Sequence, residues 1–204
     1  MQELDVINIL KNTLNFSDVA IEKLRKFKEL VLKANKKHNF ISSSTENLIW
    51  SRHILDSAQL VKFINFKLKS LSDLGSGAGF PGLIIEIFNK NKAFHVKLYE
   101  KSPIKRKFLK AVIKELDLNA EVFGNINGEK IESDYIVCRA FKKLEKVIQV
   151  SREIAKKPHK LMILKGQNAQ EELKRSSKTK KYPYKLETSM TNKNSKIILM
   201  EIND

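Results

Sequence analysis

A single cysteine, Cys138, excludes any disulfide within the chain and points to a reducing compartment, the cytoplasm. No apolar run approaches the roughly 20 residues that a membrane-crossing helix requires. The first residues, MQELDVINIL, carry acids where a secretory leader would carry a basic end and an apolar stretch. The histidines, His38, His53, His95 and His159, are scattered without metal-ligand spacing, so no metal is expected. Acids are scarce too: 23 Asp and Glu stand against 39 Lys and Arg, a net charge of +16. A soluble domain that basic usually meets a polyanion, here nucleic acid rather than an anionic membrane. A lysine-rich solvated surface is the bland rival. With no heptad or exposed apolar stripe asking for a partner, a monomer is expected. Glycine is rare, seven in 204 residues, yet four of the seven fall between positions 75 and 82.

What is present suffices for one α/β domain with a short appendage. The first third reads as helices: Leu4, Ile7, Leu10 and Leu14 recur at helical spacing, and Ser17 can cap a second helix with apolar Ile21, Leu24, Phe27, Val31 and Leu32. A polar stretch from Ser42 to Thr45 precedes a third helical run through Ile54, Leu55, Leu60, Val61 and Ile64. From about Leu68 short apolar runs alternate with amphipathic segments, the signature of a parallel sheet. Strands are expected at 68–74, 95–99, 121–123, 135–138 and 160–164, with helices starting near Phe80, Pro103, Leu144 and Asn168. A hairpin, 182–187 and 196–201 around a turn at 191–195, closes the chain. Parallel strands ending in an antiparallel pair fit a seven-stranded Rossmann-like methyltransferase sheet. The expected organisation is a helical extension over 1–66, packed on a main domain over 67–204.

The segment Asp73-Leu74-Gly75-Ser76-Gly77-Ala78-Gly79-Phe80-Pro81-Gly82 leaves a strand and opens a helix, the setting of a ligand-binding glycine loop. Glycines let the backbone turn sharply and approach a ligand closely, and Pro81 suits the first turn of a helix. Residues 77–82 match the G-x-G-x-x-G of dinucleotide sites. Asp73, Gly75, Gly77 and Gly79 also match the acidic-x-G-x-G-x-G pattern of S-adenosylmethionine enzymes. Asp73 favours the second: dinucleotide sites keep that position apolar before a phosphate-binding helix end, whereas a carboxylate complements a sulfonium and an ammonium. Glu100 closes the next strand, where a carboxylate accepts ribose hydroxyls of either cofactor.

Ser102 and Pro103 start a helix whose expected buried stripe is Ile104, Phe108, Val112 and Leu116. Lys105, Arg106, Lys107, Lys110 and Lys114 crowd its remaining surface, as a phosphate-binding face or simply a solvated one. Cys138-Arg139-Ala140-Phe141 and Lys165-Gly166-Gln167 follow the fourth and fifth strands, where strand ends face the open crevice of an α/β sheet. His53 and Asp56, at i and i+3, read as a hydrogen-bonded pair.

Arg52-His53-Ile54-Leu55-Asp56-Ser57, the glycine segment ending Gly-Phe-Pro-Gly, Lys105-Arg106-Lys107-Phe108-Leu109, Cys138-Arg139-Ala140-Phe141 and Leu164-Lys165-Gly166-Gln167 occur in this order. Together they resemble the bacterial ribosomal RNA small subunit methyltransferase G family, also called glucose-inhibited division protein B. The resemblance implies methylation of guanine N7 in 16S ribosomal RNA by S-adenosylmethionine. It places Gly75, Phe80, Ile126, Asn127 and Arg139 at the cofactor, beside Asp73, Gly77, Gly79 and Glu100. Arg139 and Lys165 are nominated to position the guanine, with Arg52, His53, Lys105, Arg106 and Lys107 contacting RNA. One departure stands out: the family's Arg-x-Glu after the third strand reads Asn125-Ile126-Asn127 here. The alternatives on the residues are a dinucleotide-dependent oxidoreductase and a non-catalytic RNA-binding assembly factor on the same fold.

Overall fold

A computed structural model describes residues 1–175 and 181–203. Two helices, α1 (Glu3–Asn12) and α2 (Asp18–Asn35), open the chain, and the Ser17 hydroxyl accepts from the Ala20 amide to cap the second. In α2 the stripe is buried as expected at Ile21, Leu24, Phe27 and Val31, with Leu32 half-buried. In α1 the expected Leu4 points outward, 69% exposed, and Val6 lies inside with Ile7 and Leu10. The spacing is helical either way; packing selects the stripe one position round.

The third helical run is not one helix. A 3-10 turn (Ser43–Leu48) beginning in the polar stretch leads into it, and the run itself passes through a π-helical turn (Trp50–Leu55) and a short α3 (Asp56–Ala58) before ending as a 3-10 turn (Gln59–Phe63). Its apolar residues Ile54, Leu55, Leu60, Val61 and Ile64 are all buried.

Seven strands follow: β1 (Ser70–Leu74), β2 (His95–Tyr99), β3 (Ala120–Phe123), β4 (Tyr135–Arg139), β5 (His159–Lys165), β6 (Tyr184–Thr188) and β7 (Lys196–Ile202). They form one sheet in the order β3-β2-β1-β4-β5-β7-β6. The first five run parallel; β7 is inserted antiparallel between β5 and β6. The helices are α4 (Gly82–Phe88), α5 (Pro103–Glu115), α6 (Leu144–Ile154) and α7 (Ala169–Arg175). α4 begins two residues after the expected Phe80, once the glycine loop has finished its turns.

Alternation along each strand divides the core between the two sheet faces. Tyr135 and Val137 of β4 join one cluster with α1, α2, α4 and α5, so the N-terminal helices share a core with the sheet. Ile136 and Cys138 join the other, with α6 and α7. In α5 the inward stripe is Leu109, Val112 and Leu116, with Phe108 half-buried, while the expected Ile104 is 52% exposed. Its stripe faces the sheet from Leu109 onward, so the first turn projects past the strand ends. Strand order reverses between β1 and β4, and a crevice opens there, beyond the carboxyl ends of the strands.

Candidate functional site

The crevice floor is backbone. Gly75, Gly77 and Gly79 all have positive φ (74°, 58° and 101°). The Gly75 and Ser76 amides donate to the Tyr99 carbonyl at 2.8 and 3.1 Å, which pins the loop after β1 to the end of β2. A Cβ on Gly75 would lie 2.6 Å from Cδ2 of Phe141, so the loop after β4 closes directly on this position. Glu100 ties the floor together: its carboxylate accepts from the Gly77 amide at 2.9 Å and the Ser102 amide at 2.8 Å. Arg106 donates to the carbonyls of Glu100 and Lys101 at 3.0 and 2.7 Å, so its guanidinium secures this corner rather than standing free on the basic face.

Asp73 lies beneath the loop, not in the crevice. It is fully buried; one oxygen accepts from the Gly82 amide at 3.0 Å, and the other has no hydrogen-bond partner among the described residues. Burial pushes its carboxyl up to about 7, with the Gly82 N–H opposing. A Cβ on Gly82 would strike Asp73 and Leu98, so glycine there lets α4 settle against the strand. Gly79 likewise packs on Leu83 under the turn.

Two cavities of about 490 and 510 Å³ meet at Gly75 and Ala140. Arg52, His53, Gly77, Phe80, Arg139 and Lys165 line the first; Glu100, Ile126, Asn127, Tyr99 and Phe141 line the second. The structure therefore brings together most of the nominated residues, leaving Asp73 and Gly79 beneath the floor and Lys105, Arg106 and Lys107 on α5. Lys165 lines the first cavity, but its ammonium is held by Glu172 at 2.7 and 3.0 Å and by the Lys142 carbonyl at 3.3 Å.

The wall of the first cavity is a polar network centred on Arg139. Its guanidinium lies 5.0 Å from the Phe80 ring centroid, donates to Nδ1 of His53 at 2.9 Å and to the Arg52 carbonyl at 3.1 Å, and stands 3.9 Å from Asp56. Because Nδ1 accepts, the His53 proton belongs on Nε2, which reaches Thr45 Oγ1 at 2.8 Å. Burial, then the charges of Arg139 and Arg52, bring the His53 pKa down to about 3, so the imidazole is neutral. Asp56 accepts from Gln59, Thr191 and Ser189 at 3.0, 3.1 and 3.3 Å. The Gln59 carbonyl oxygen accepts from the Met190 amide at 2.8 Å, completing the join to the 189–195 turn. Burial raises the Asp56 pKa and lowers that of Arg139 although the two attract, so desolvation outweighs their pairing.

The expected His53–Asp56 pair does not form. In a π-helical turn residues three apart no longer share a face, and Arg139 stands between the two side chains, bridging them. Sequence reasoning also missed Thr45, Gln59, Ser189 and Thr191. Gln59, 1% exposed within an otherwise apolar run, was the available signal, since a glutamine there demands partners. Cys138, fully buried with its thiol pushed up to about 12, is no nucleophile. Among the described residues no cluster of His, Cys, Asp and Glu could hold a metal ion, and no helix is long and apolar enough to cross a membrane.

Comparison with known proteins places this geometry. The family model for rRNA small subunit methyltransferase G matches residues 20–199. The ribosomal RNA small subunit methyltransferase G of Rickettsia bellii is 36% identical over 185 residues, covering 90% of this chain and 93% of that protein. Its counterpart in Pelagibacter ubique is 34% identical over 175 residues, covering 83% and 82%. Among solved structures, a Bacillus cereus O-methyltransferase in complex with SAH shares the fold at 13% identity, with a TM-score of 0.61 over 95% of each chain. M. jannaschii TYW2 in complex with AdoMet does so at 17% identity, with a TM-score of 0.54 over 75% of this chain and 76% of that one.

Proposed function

This chain belongs to the rRNA small subunit methyltransferase G family, and from that premise we propose that it transfers a methyl group from S-adenosylmethionine to N7 of a guanine in 16S ribosomal RNA. The observation that carries the reading is the pair of cavities joined at Gly75, where the floor leaves no room for a Cβ. That cradle fits an extended adenosyl ligand. Glu100, Ile126 and Asn127 line the cavity for the adenosyl end, with Asn127 offering an amide to the adenine edge in place of the family's glutamate. Gly75, Gly77, Phe80 and Arg139 line the cavity for the amino-acid end and the acceptor. Asp73 contributes through the loop, by fixing Gly82 from below.

When bound, S-adenosylmethionine supplies a methyl group on a positively charged sulfur. Guanine N7 already presents an in-plane lone pair at neutral pH, so the chain need not remove a proton. The wall suits that task. His53 is neutral, with Nδ1 blocked by Arg139 and Nε2 directed to Thr45, so it orients rather than transfers protons. Arg139, held from two sides over Phe80, offers a fixed planar donor that can read O6 of guanine and leave the N7 lone pair free to attack. Lys165 reaches the guanine only by leaving Glu172. Proximity and orientation thus supply most of the acceleration. Arg52, exposed at the rim, with Lys105 and Lys107 on α5, meets RNA phosphates. The chain works in the cytoplasm, where the small ribosomal subunit is, as a monomer without a metal.

The decisive experiment is transfer of labelled methyl from S-adenosylmethionine to small ribosomal subunits, beside large subunits and protein alone, with the base identified after nuclease digestion. Label in N7-methylguanine from the small subunit only is expected. Cofactor binding without transfer to RNA would redirect the reading to another acceptor, and no cofactor binding would overturn it.

A further inference from the structure

Outside the crevice the lysines fall into two populations. Lys11, Lys28, Lys157, Lys160 and Lys185 each face a carboxylate at 2.6–3.9 Å. Lys36 and Lys37, just after α2, and Lys101, Lys105, Lys107 and Lys110, in and before α5, form no ion pair among the described residues. α5 carries one acid, Glu115, at its far end. The two groups of unpaired charge meet at an apolar seam. Phe40 packs on Phe108 with centroids 4.6 Å apart, and His38 stands edge-on to Phe40 at 6.1 Å. His38 is exposed, Phe108 half-buried, and Ile104, one turn before it, is open to solvent. Phe40 also lines the first cavity, so the seam leads out of the crevice mouth.

Apolar surface beside crowded, unpaired lysines leaves like charges that repel one another in the free protein. It matches single-stranded nucleic acid, whose bases pack on apolar and aromatic groups while its phosphates answer the lysines. Resting on the RNA reading above, we propose that the seam between residues 36–40 and the first turn of α5 is the docking track for unpaired nucleotides flanking the target guanine. Lys36, Lys37, Lys101 and Lys105 take phosphates, and Ile104 and His38 take a base. A duplex would hide its base faces from this surface.

The test titrates the full chain with unmethylated 16S ribosomal RNA transcript over a salt series. The variants are Lys36→Glu/Lys37→Glu, Ile104→Ser, and Lys90→Glu/Lys92→Glu, the last making the same charge change on the exposed turn before β2, at the opposite end of the strands. The first is expected to weaken binding at least about 10-fold and to flatten the slope of log affinity against log salt by about 1.4, roughly 0.7 per single-strand phosphate contact. Ile104→Ser should weaken binding about five-fold through lost packing on a base, with the salt slope unchanged. Both should retain wild-type affinity for S-adenosylmethionine, and Lys90→Glu/Lys92→Glu should stay within about two-fold of wild type, since distant charges are screened. If Lys36→Glu/Lys37→Glu follows Lys90→Glu/Lys92→Glu at every salt concentration, the track is wrong while the methyl-transfer reading stands. A wild-type chain without affinity for this RNA would overturn both.

Discussion

The floor of the crevice is one run of neighbours, Gly75 to Gly79, pinned from the end of β2, whereas its wall draws side chains from Thr45, Arg139 and Thr191. In the floor, backbone amides do the holding: Gly75, Ser76 and Gly77 donate to the end of β2 and to Glu100, and no Cβ is tolerated where Phe141 closes in. In the wall, side chains hold one another, and the bonds of Arg139, Ser189 and Thr191 join elements far apart in the chain. A floor of that kind fails abruptly on substitution because backbone cannot repack. A network sheds its contributions one bond at a time, about 0.5–1.5 kcal/mol for each neutral hydrogen bond.

That contrast can be broken at either end. Gly75→Trp is expected to abolish S-adenosylmethionine binding, read by calorimetry, because the ring must displace Phe141 from a positive-φ position. Gly75→Ala should lose most affinity, and adding Phe141→Ala should recover part of it. Without recovery, backbone conformation rather than the Phe141 contact sets the limit. Next in size, Asp56→Ala should cost about 3 kcal/mol in denaturant unfolding, since it leaves Arg139 partly buried without its counter-charge and removes the acceptor that Gln59, Ser189 and Thr191 share. A loss under 1 kcal/mol would show that Asp56 does not hold the wall together.

Acid and base should then act on the two regions with opposite sign. His53 has a folded pKa of about 3 against an ordinary 6.5, so below pH 6.5 the unfolded chain takes up its proton first. Its share of stability is present above 6.5 and fades as pH falls toward 3, by up to about 1.4 kcal/mol per unit. Asp73, raised to about 7, does the reverse: its share is present below its ordinary 3.8 and is lost as pH rises through 7. Thermal unfolding at stepped pH should therefore show His53→Asn flattening the acid limb and Asp73→Asn the limb toward neutrality. Smallest of all, Thr191→Val should cost about 1 kcal/mol, the value of one hydrogen bond to Asp56. A null result would mean that Gln59 and Ser189 suffice to seat the turn.

Much of the floor is legible in the residues alone. Strand β2 falls at 95–99 as expected, and the Ser102-Pro103 start of α5 is capped as expected, because each rests on a local rule of alternation or capping. The same local rules misplace Leu4 and Ile104. Periodicity shows that a stripe exists, but adjacent stripes on one helix are equally periodic, and only the position of the sheet chooses between them. The wall is the least legible part. The π-helical turn that separates His53 from Asp56 has no signature in the residues themselves, and the partner that replaces their bond comes from the end of β4.

The sequence by itself determined the family, the order of strands and helices along the chain, and the glycine floor, since each is written in short runs of adjacent residues. The tertiary structure alone decided that Asp73 works from beneath the loop, that Lys165 is held by Glu172, that Arg106 braces the corner of the floor, and that the final hairpin reaches back to wall the crevice. Burial and long-range hydrogen bonding settle such assignments: they depend on which distant groups the packed sheet brings within 3 Å, and no spacing within the sequence measures that.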